Sequence, residues 1–352
     1  SIKCLFSDID GTLVHYYEGD ASMGPPDVIT LPASATGRVA RISLKTLRLA
    51  SQIRAKGTKL VLVSGTRYST FATRLPFLPR ADAYVIENGG RVFYPEEGKQ
   101  RGKEVSGAEQ GESGGGSGEQ PMAHAAAVSS VVGDPSLTAH APDGLKEDLE
   151  WRAKLESVTG PASQDAIQPA ERVGPLWDMY RKAISEGFEV DTNTYYTMIR
   201  IKVGESGEPW GGARGPPHPC SPMDVFSHEK CTGKPGGTEA VKDMLANLPK
   251  GLRVVTNFGL VDICPDASGK HNAAAYLAAE HFEISLDRCA SMGDDDNDIA
   301  LAKSVGRGAF ITTFSSESVE AASKDDPGRF RVAKEEGVKS SEEMLALILA
   351  AC

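Results

Sequence analysis

Two carboxylates one residue apart, Asp8 and Asp10, follow the short apolar run Lys3 to Ser7. On an extended chain the pair would face one side, and Gly11 with Thr12 lets the chain turn tightly beyond it. A pair placed so can divide work, one member as nucleophile and metal ligand, the other as general acid/base. Aspartate pairs are also frequent in plain turns, so a second acidic run is what favours chemistry. Residues Gly293 to Asp298 (GDDDND) again follow a short apolar run, Ala290 to Met292. Acids packed so densely repel one another unless a hard cation lies among them, and oxygen donors suit Mg2+. A phosphate group would need donors as well. Ser64 with Gly65 offers a hydroxyl and backbone N–H groups at a strand-to-helix turn. Lys270, at the start of a helix, can place an ammonium near the same point and balance the acids.

The elements that must position these groups read as an α/β alternation. Lys3 to Ser7, Lys59 to Val63 and Ala83 to Ile86 are short buried strands, and Ser43 caps a periodic helix that runs to Gly57. The stretch His15 to Arg38 between them is rich in Gly and Pro and reads as a loop. Near the carboxyl end the pattern returns, with helices at Lys270 to Ala279 and Asp298 to Lys303 and strands at Cys289 to Met292 and Ala309 to Thr312. This alternation indicates a parallel sheet with right-handed crossovers, whose ligands sit outside the carboxyl ends of the strands. Asp8, Ser64 and Asn88 all fall there.

The middle of the chain differs. Lys103 to Gln120 is a Gly/Ser/Glu-rich tract that cannot bury enough apolar surface to offset its ordering entropy, which predicts a disordered loop. A second Gly/Pro-rich loop spans Gly204 to Pro222. Around them lie a helix near Leu176 to Gly187, a half-exposed strand at Thr194 to Val203, a helix at Gly237 to Leu248, and a hairpin from Leu252 to Cys264 turning at Phe258-Gly259. The expected organisation is therefore a catalytic unit made of residues 1–91 and 264–352, interrupted by an α+β domain at 92–263.

Composition narrows the function classes. With 38 basic and 48 acidic residues the formal charge is −10, which argues against a nucleic-acid binder and for a small-molecule substrate held by a local positive site or a metal. No apolar run approaches the ~18 residues that would cross a bilayer, so no membrane partner is expected. The six cysteines form no CxxC pair and no zinc-like cluster, which favours free thiols in a reducing compartment, the cytoplasm or the plastid stroma. The first residue is Ser1, so an upstream segment removed by processing would take any organelle address with it.

Taken together and in order, Asp8-Ile-Asp-Gly-Thr-Leu-Val14, Val63-Ser-Gly65, Lys270 and Gly293-Asp-Asp-Asp-Asn-Asp298 resemble the four motifs of the haloacid dehalogenase (HAD) superfamily of phosphohydrolases. The long insertion between the second and third motifs resembles subclass IIB, which has a large α/β cap. Val261-Asp-Ile-Cys-Pro265, Gly269-Lys270 and Glu336-Gly337-Val338 look most like its Cof-type and sucrose-phosphatase branch. The resemblance implies a Rossmann-like parallel-sheet core with an inserted α+β cap, and a Mg2+-dependent phosphatase acting on a sugar phosphate. It implies that Asp8 is phosphorylated, that Asp10 is the acid/base, and that Ser64, Gly65 and Lys270 bind the phosphoryl group. Asp8, the Asp10 carbonyl and Asp294 would hold Mg2+, with Thr12, Asn297 and Asp298 in support. A phosphomutase of the same fold and a non-catalytic phosphate-sensing relative are the alternatives, and the compact fourth motif favours the phosphatase.

Departures from the family pattern mark the remaining candidates. The second motif of this subclass usually reads Thr-Gly-Arg, whereas here Ser64-Gly65-Thr66-Arg67 carries its arginine one place late. Asn88 occupies an Asn-Gly at the junction with the insertion, where turn formation is an equal reading. Within the insertion Arg200, Lys202 and Trp210 are candidates to face substrate, although Arg and Lys alternating on a strand more often form a solvated face.

Overall fold

The computed structural model describes residues 1–16, 27–34, 37–96, 137–138, 144–201, 244–257 and 260–352. Its largest element is an eight-stranded sheet in the order β15-β14-β13-β1-β5-β6-β7-β8. At its centre β1 (Cys4–Ser7) lies parallel between β13 (Cys289–Gly293) and β5 (Lys59–Val63). On the two flanks β6 (Ala83–Ile86), β14 (Ala309–Ile311) and β15 (Phe330–Val332) continue the parallel pairing. Then β7 (Arg91–Pro95) and β8 (Leu145–Glu147) add two antiparallel strands, so the sheet runs on into the stretch read as an insertion.

These strands are continuous apolar runs because both faces of the sheet are covered. Leu5, Leu60, Leu62, Tyr84, Ile86 and Met292 point to one face and join one core. There they meet Leu47, Ala50 and Ile53 of α1 (Leu44–Ala55) and Met344, Leu345 and Ile348 of α8 (Val338–Ala351). The alternate residues Cys4, Phe6, Val61, Val63, Ala83 and Val85 point the other way. They pack on Trp151 and Leu155 of α3 (Leu149–Thr159), on Ala273 and Ala274 of α5 (Lys270–Tyr276), and on Leu301 of α6 (Asp296–Ser304). Ser43 caps α1 as its position suggests, its Oγ accepting from the N–H of Thr46 at 3.0 Å. Between β6 and β5 runs the short helix α2 (Tyr68–Arg74), and α7 (Glu317–Asp325) lies between β14 and β15.

A second, four-stranded antiparallel sheet has the order β11-β12-β10-β9. It contains the expected hairpin, β11 (Leu252–Asn257) paired with β12 (Leu260–Pro265), then β10 (Ile199–Ile201) and β9 (Val190–Asp191). The helix α4 (Pro175–Ser185) packs Leu176, Trp177 and Met179 onto Ile199, Ile201, Val261 and Ile263 of this sheet. The architecture is thus an α/β core of the Rossmann-like kind with a second α+β unit.

Two expectations change. His15 to Arg38 is not a plain loop: β2 (His15–Tyr16), β3 (Val28–Thr30) and β4 (Ala40–Ser43) form a three-stranded antiparallel sheet. Strands of two and three residues are too short to show a readable alternation. The strand expected from Thr194 begins at Ile199, because Thr194 has φ 55°, a left-handed conformation that no ladder accommodates. The loops at 103–120 and 204–222, Lys202, Trp210 and most of the Gly237 to Leu248 helix lie outside the described residues. Among the described residues no helix is long and apolar enough to cross a membrane.

Candidate active site

Asp8 immediately follows β1, and its backbone N–H donates to Met292 O at 2.8 Å, fixing it beside the end of β13. Beyond it the chain winds into a tight turn in which Leu13 and Val14 both donate to Ile9 O at 2.9 Å. Gly11 makes this turn with φ +84°, and a Cβ added there would fall 2.1 Å from Asp294 Oδ2. Only glycine lets the first acidic loop approach the second so closely.

On the opposite side the GDDDND run starts α6. Asp295 caps that helix and shares a capping box with Asp298. The Asp298 Oδ2 atom accepts from the N–H groups of Asp294 at 3.2 Å and Asp295 at 3.3 Å. One member of the run thus does cap a helix, and the same cap holds Asp298 against the site. Asp294 Oδ1 accepts from Thr12 Oγ1 at 2.7 Å and Oδ2 from the Ser315 hydroxyl. Ser315 carries no signal in the sequence; it arrives through the loop after β14.

Lys270 closes the arrangement. Its Nζ donates to Asp8 Oδ1 at 2.6 Å and to Asp298 Oδ1 at 2.7 Å, and its side chain is 2% exposed. The lysine is seated by a close approach of two glycines, since a Cβ on Gly89 would fall 2.3 Å from the Gly269 carbonyl. Carboxylate oxygens of Asp8, Asp294 and Asp298 lie within 4.8 Å of one another, all buried. Burial raises the Asp8 carboxyl well above the ordinary range, opposed by Lys270 and reinforced by Asp298 and Asp294. Burial, then Asp298 and Asp295, pushes Asp294 up to about 8. Burial alone would lower Lys270, but Asp298 and Asp8 hold it above its ordinary value, fully protonated.

Three buried carboxylates face one ammonium, an excess of negative charge that a divalent cation with oxygen ligands would neutralise. The Asn297 Oδ1 atom is buried without a partner among the described residues, a further oxygen at the edge of the same loop. The residues present therefore fit Mg2+.

The other predicted residues distribute unevenly. Ser64 is 2% exposed at the end of β5, and its Oγ accepts from Thr66 N–H at 3.0 Å, which leaves the hydroxyl hydrogen free to donate; Gly65 is buried beside it. Asn88 has φ 53°, donates to Asp262 Oδ2 at 3.0 Å and accepts from Asn297 Nδ2 at 3.3 Å, so it links the second sheet to α6. Asp10 does not share the cluster around Asp8. Its Oδ1 accepts from the hydroxyl of Tyr16 and from Arg74 Nη1 at 2.8 Å, because the chain has already left the strand by Ile9.

Arg67 is engaged with Asp191, and its Nη1 also donates to Asn193 O at 3.1 Å. Its late position in the motif makes it the residue that precedes α2, with its head toward the 190–195 turn. Arg200 makes a bidentate pair with Asp262 at 2.6 and 2.7 Å. Arg200 is thus held within the second sheet by its register partner, while Arg67 ties the start of α2 to β9 of that sheet. Glu87, absent from the sequence reading, reinforces that tie by accepting from the N–H groups of Tyr196 at 2.9 Å and Thr197 at 2.7 Å.

Comparison with known proteins agrees with the fold. Residues 231–337 match the family model of haloacid dehalogenase-like hydrolases. The sucrose-phosphatase from Synechocystis sp. PCC6803, solved with sucrose and phosphate, is similar at TM-score 0.51 and 15% identity over 98% of this chain and 97% of that one. BT1666 of Bacteroides thetaiotaomicron, from a study of HAD phosphatases, aligns at TM-score 0.44 and 15% identity over 98% and 94%. The subclass IIB sugar phosphatase BT4131 aligns at TM-score 0.44 and 15% identity over 99% of each chain. Among curated protein sequences none matches significantly. The matched segment contains Lys270 and the Gly293 to Asp298 run, and the likeness to the Synechocystis structure agrees with the α/β fold described above.

Proposed function

We propose that this protein is a Mg2+-dependent phosphatase that hydrolyses a sugar phosphate or a related small phosphate ester through a phosphorylated Asp8. One observation carries the reading: Lys270 lies within hydrogen-bond reach of Asp8 and Asp298 in a buried group that also contains Asp294, at the carboxyl ends of adjacent parallel strands. A structural lysine needs one carboxylate. A lysine between two, beside a third and under a tight glycine turn, suits a group whose charge changes during reaction.

In this reading Asp8 attacks phosphorus, the bond to the ester oxygen breaks, and Asp10 gives that oxygen a proton. Asp10 then takes a proton from water, the water oxygen attacks the phosphoryl group on Asp8, and inorganic phosphate leaves with Asp8 restored. Lys270 and the Ser64 hydroxyl, with the Gly65 N–H, hold the equatorial oxygens as negative charge spreads over them. Asp8, Asp294 and the Asp10 carbonyl would hold Mg2+, which would supply further neutralisation of that charge. The second unit, built on α4 and the β11-β12-β10-β9 sheet, serves as a cap that shields the site and selects the substrate, and the sugar-phosphate class is favoured by the likeness to a phosphatase solved with sucrose and phosphate.

A phosphate-release screen over hexose, disaccharide and polyol phosphates, with Mg2+ or with EDTA, tests this. Asp8→Asn is nearly isosteric and is expected to remove all turnover with an unchanged circular-dichroism spectrum. Turnover surviving in Asp8→Asn would refute the mechanism, and hexose 1-phosphate to 6-phosphate conversion faster than phosphate release would replace phosphatase by mutase.

A further inference from the structure

Asp10 is bonded by two residues that none of the four motifs contains. Arg74, the last residue of α2, is buried with its side chain 3% exposed. Its Nη1 reaches Asp10 Oδ1 at 2.8 Å and the Tyr16 oxygen at 3.0 Å. Its Nη2 donates to Arg38 O at 3.1 Å and its Nε to Pro32 O at 3.3 Å. The guanidinium is thus fixed at each of its three nitrogens, and its planar fork has little freedom left. Tyr16 in β2 is pinned from its other side, with the Arg38 guanidinium 3.9 Å from the ring centroid.

We infer that Arg74 and Tyr16 are positioning residues that set the orientation of the Asp10 carboxyl for proton transfer. Among the described residues both bonds fall on Oδ1, so Oδ2 is the oxygen left to exchange a proton with the ester oxygen and then with water. Two donors converging on one oxygen remove the rotation about χ2 that would otherwise spread Oδ2 over many directions. The three-stranded sheet β2-β4-β3 then has a role at the site, because it carries Tyr16 and, in the loop between β3 and β4, the carbonyls that hold Arg74. The inference rests on the proposed role of Asp10.

The test exploits leaving groups. A sugar or alkyl phosphate releases an alkoxide that must be protonated, whereas 4-nitrophenyl phosphate releases a stable phenolate that needs no acid. kcat/KM covers the steps up to departure of the leaving group, so it reads acid assistance alone. Tyr16→Phe and Arg74→Gln are expected to lower kcat/KM for the best sugar phosphate by about tenfold or more, a fraction of the full effect of a general acid, while kcat/KM for 4-nitrophenyl phosphate changes less than about threefold. Equal losses on both esters, or none on either, would overturn the inference. Tyr16→Phe removes a single hydroxyl and decides the matter if Arg74→Gln does not fold. Wild-type protein inactive on both esters would overturn the phosphatase reading, and this one with it, whereas an active wild type with equal losses overturns this one alone.

Discussion

Replacing Lys270 by Met keeps the aliphatic stem and removes the charge that sits 2.6 Å from Asp8 and 2.7 Å from Asp298. At an effective dielectric near 20, each pair at that distance is worth about 6 kcal/mol of attraction. Desolvation cancels much of it, and breaking a buried pair costs about 3–5 kcal/mol in net stability. The deficit depends on pH in a defined direction. Lys270 is protonated from pH 5 to 8, so its own contribution is constant there. Of the carboxyls around it, Asp8 is raised well above the ordinary range and Asp294 to about 8, even with the lysine present. A carboxyl raised in the folded state contributes stability below its unfolded value of about 3.9 and loses it as pH rises through the folded value. The metal-free variant should therefore lie close to wild type at pH 5 and fall about 10 °C below it at pH 8. Thermal melts in EDTA at the two pH values measure this, and phosphate release should drop roughly 10²–10³-fold at saturating Mg2+. Equal melting deficits at both pH values, or a variant more stable than wild type at pH 8, would refute the charge argument.

Two further outcomes follow from the same site. Because Asp8 and Asp294 hold protons more tightly than ordinary carboxyls, Mg2+ should raise the melting temperature of wild type more at pH 8 than at pH 5, and EDTA should stop turnover; an equal rise at both values would contradict the ligand assignment. Gly11→Ala forces a side chain into φ +84° and against Asp294 Oδ2, which should cost about 1–3 kcal/mol and weaken the Mg2+-induced rise. An unchanged melt with an unchanged Mg2+ response would show that the turn relaxes freely.

The strands that place the chemistry were legible because they are short, apolar on both faces and end abruptly in polar residues. That pattern located β1, β5, β6 and β13 to within a residue or two, and with them Asp8, Ser64, Asn88 and Asp294 at one edge of the sheet. Lys270 was legible through its place at a helix start after Gly269. A run of acids cannot be buried without a counter-charge, so the spacing of the acidic loops already required a partner, and Lys270 is that partner.

What only the tertiary structure decided is which charged side chain meets which. Arg67 and Arg200 look like substrate contacts in a linear reading, yet Asp191 and Asp262 take them, 124 and 62 residues away. Arg74 and Tyr16 meet at Asp10 although no local spacing relates them, and Ser315 reaches Asp294 from beyond β14. Periodicity reports which face of an element is buried, because burial acts on every residue of that face. It is silent about pairing, because an ion pair or hydrogen bond is a single contact fixed by the crossing of distant elements. The small sheet β2-β4-β3 escaped notice for a related reason: its strands are two to four residues long, and they are held by one another rather than by any pattern of their own.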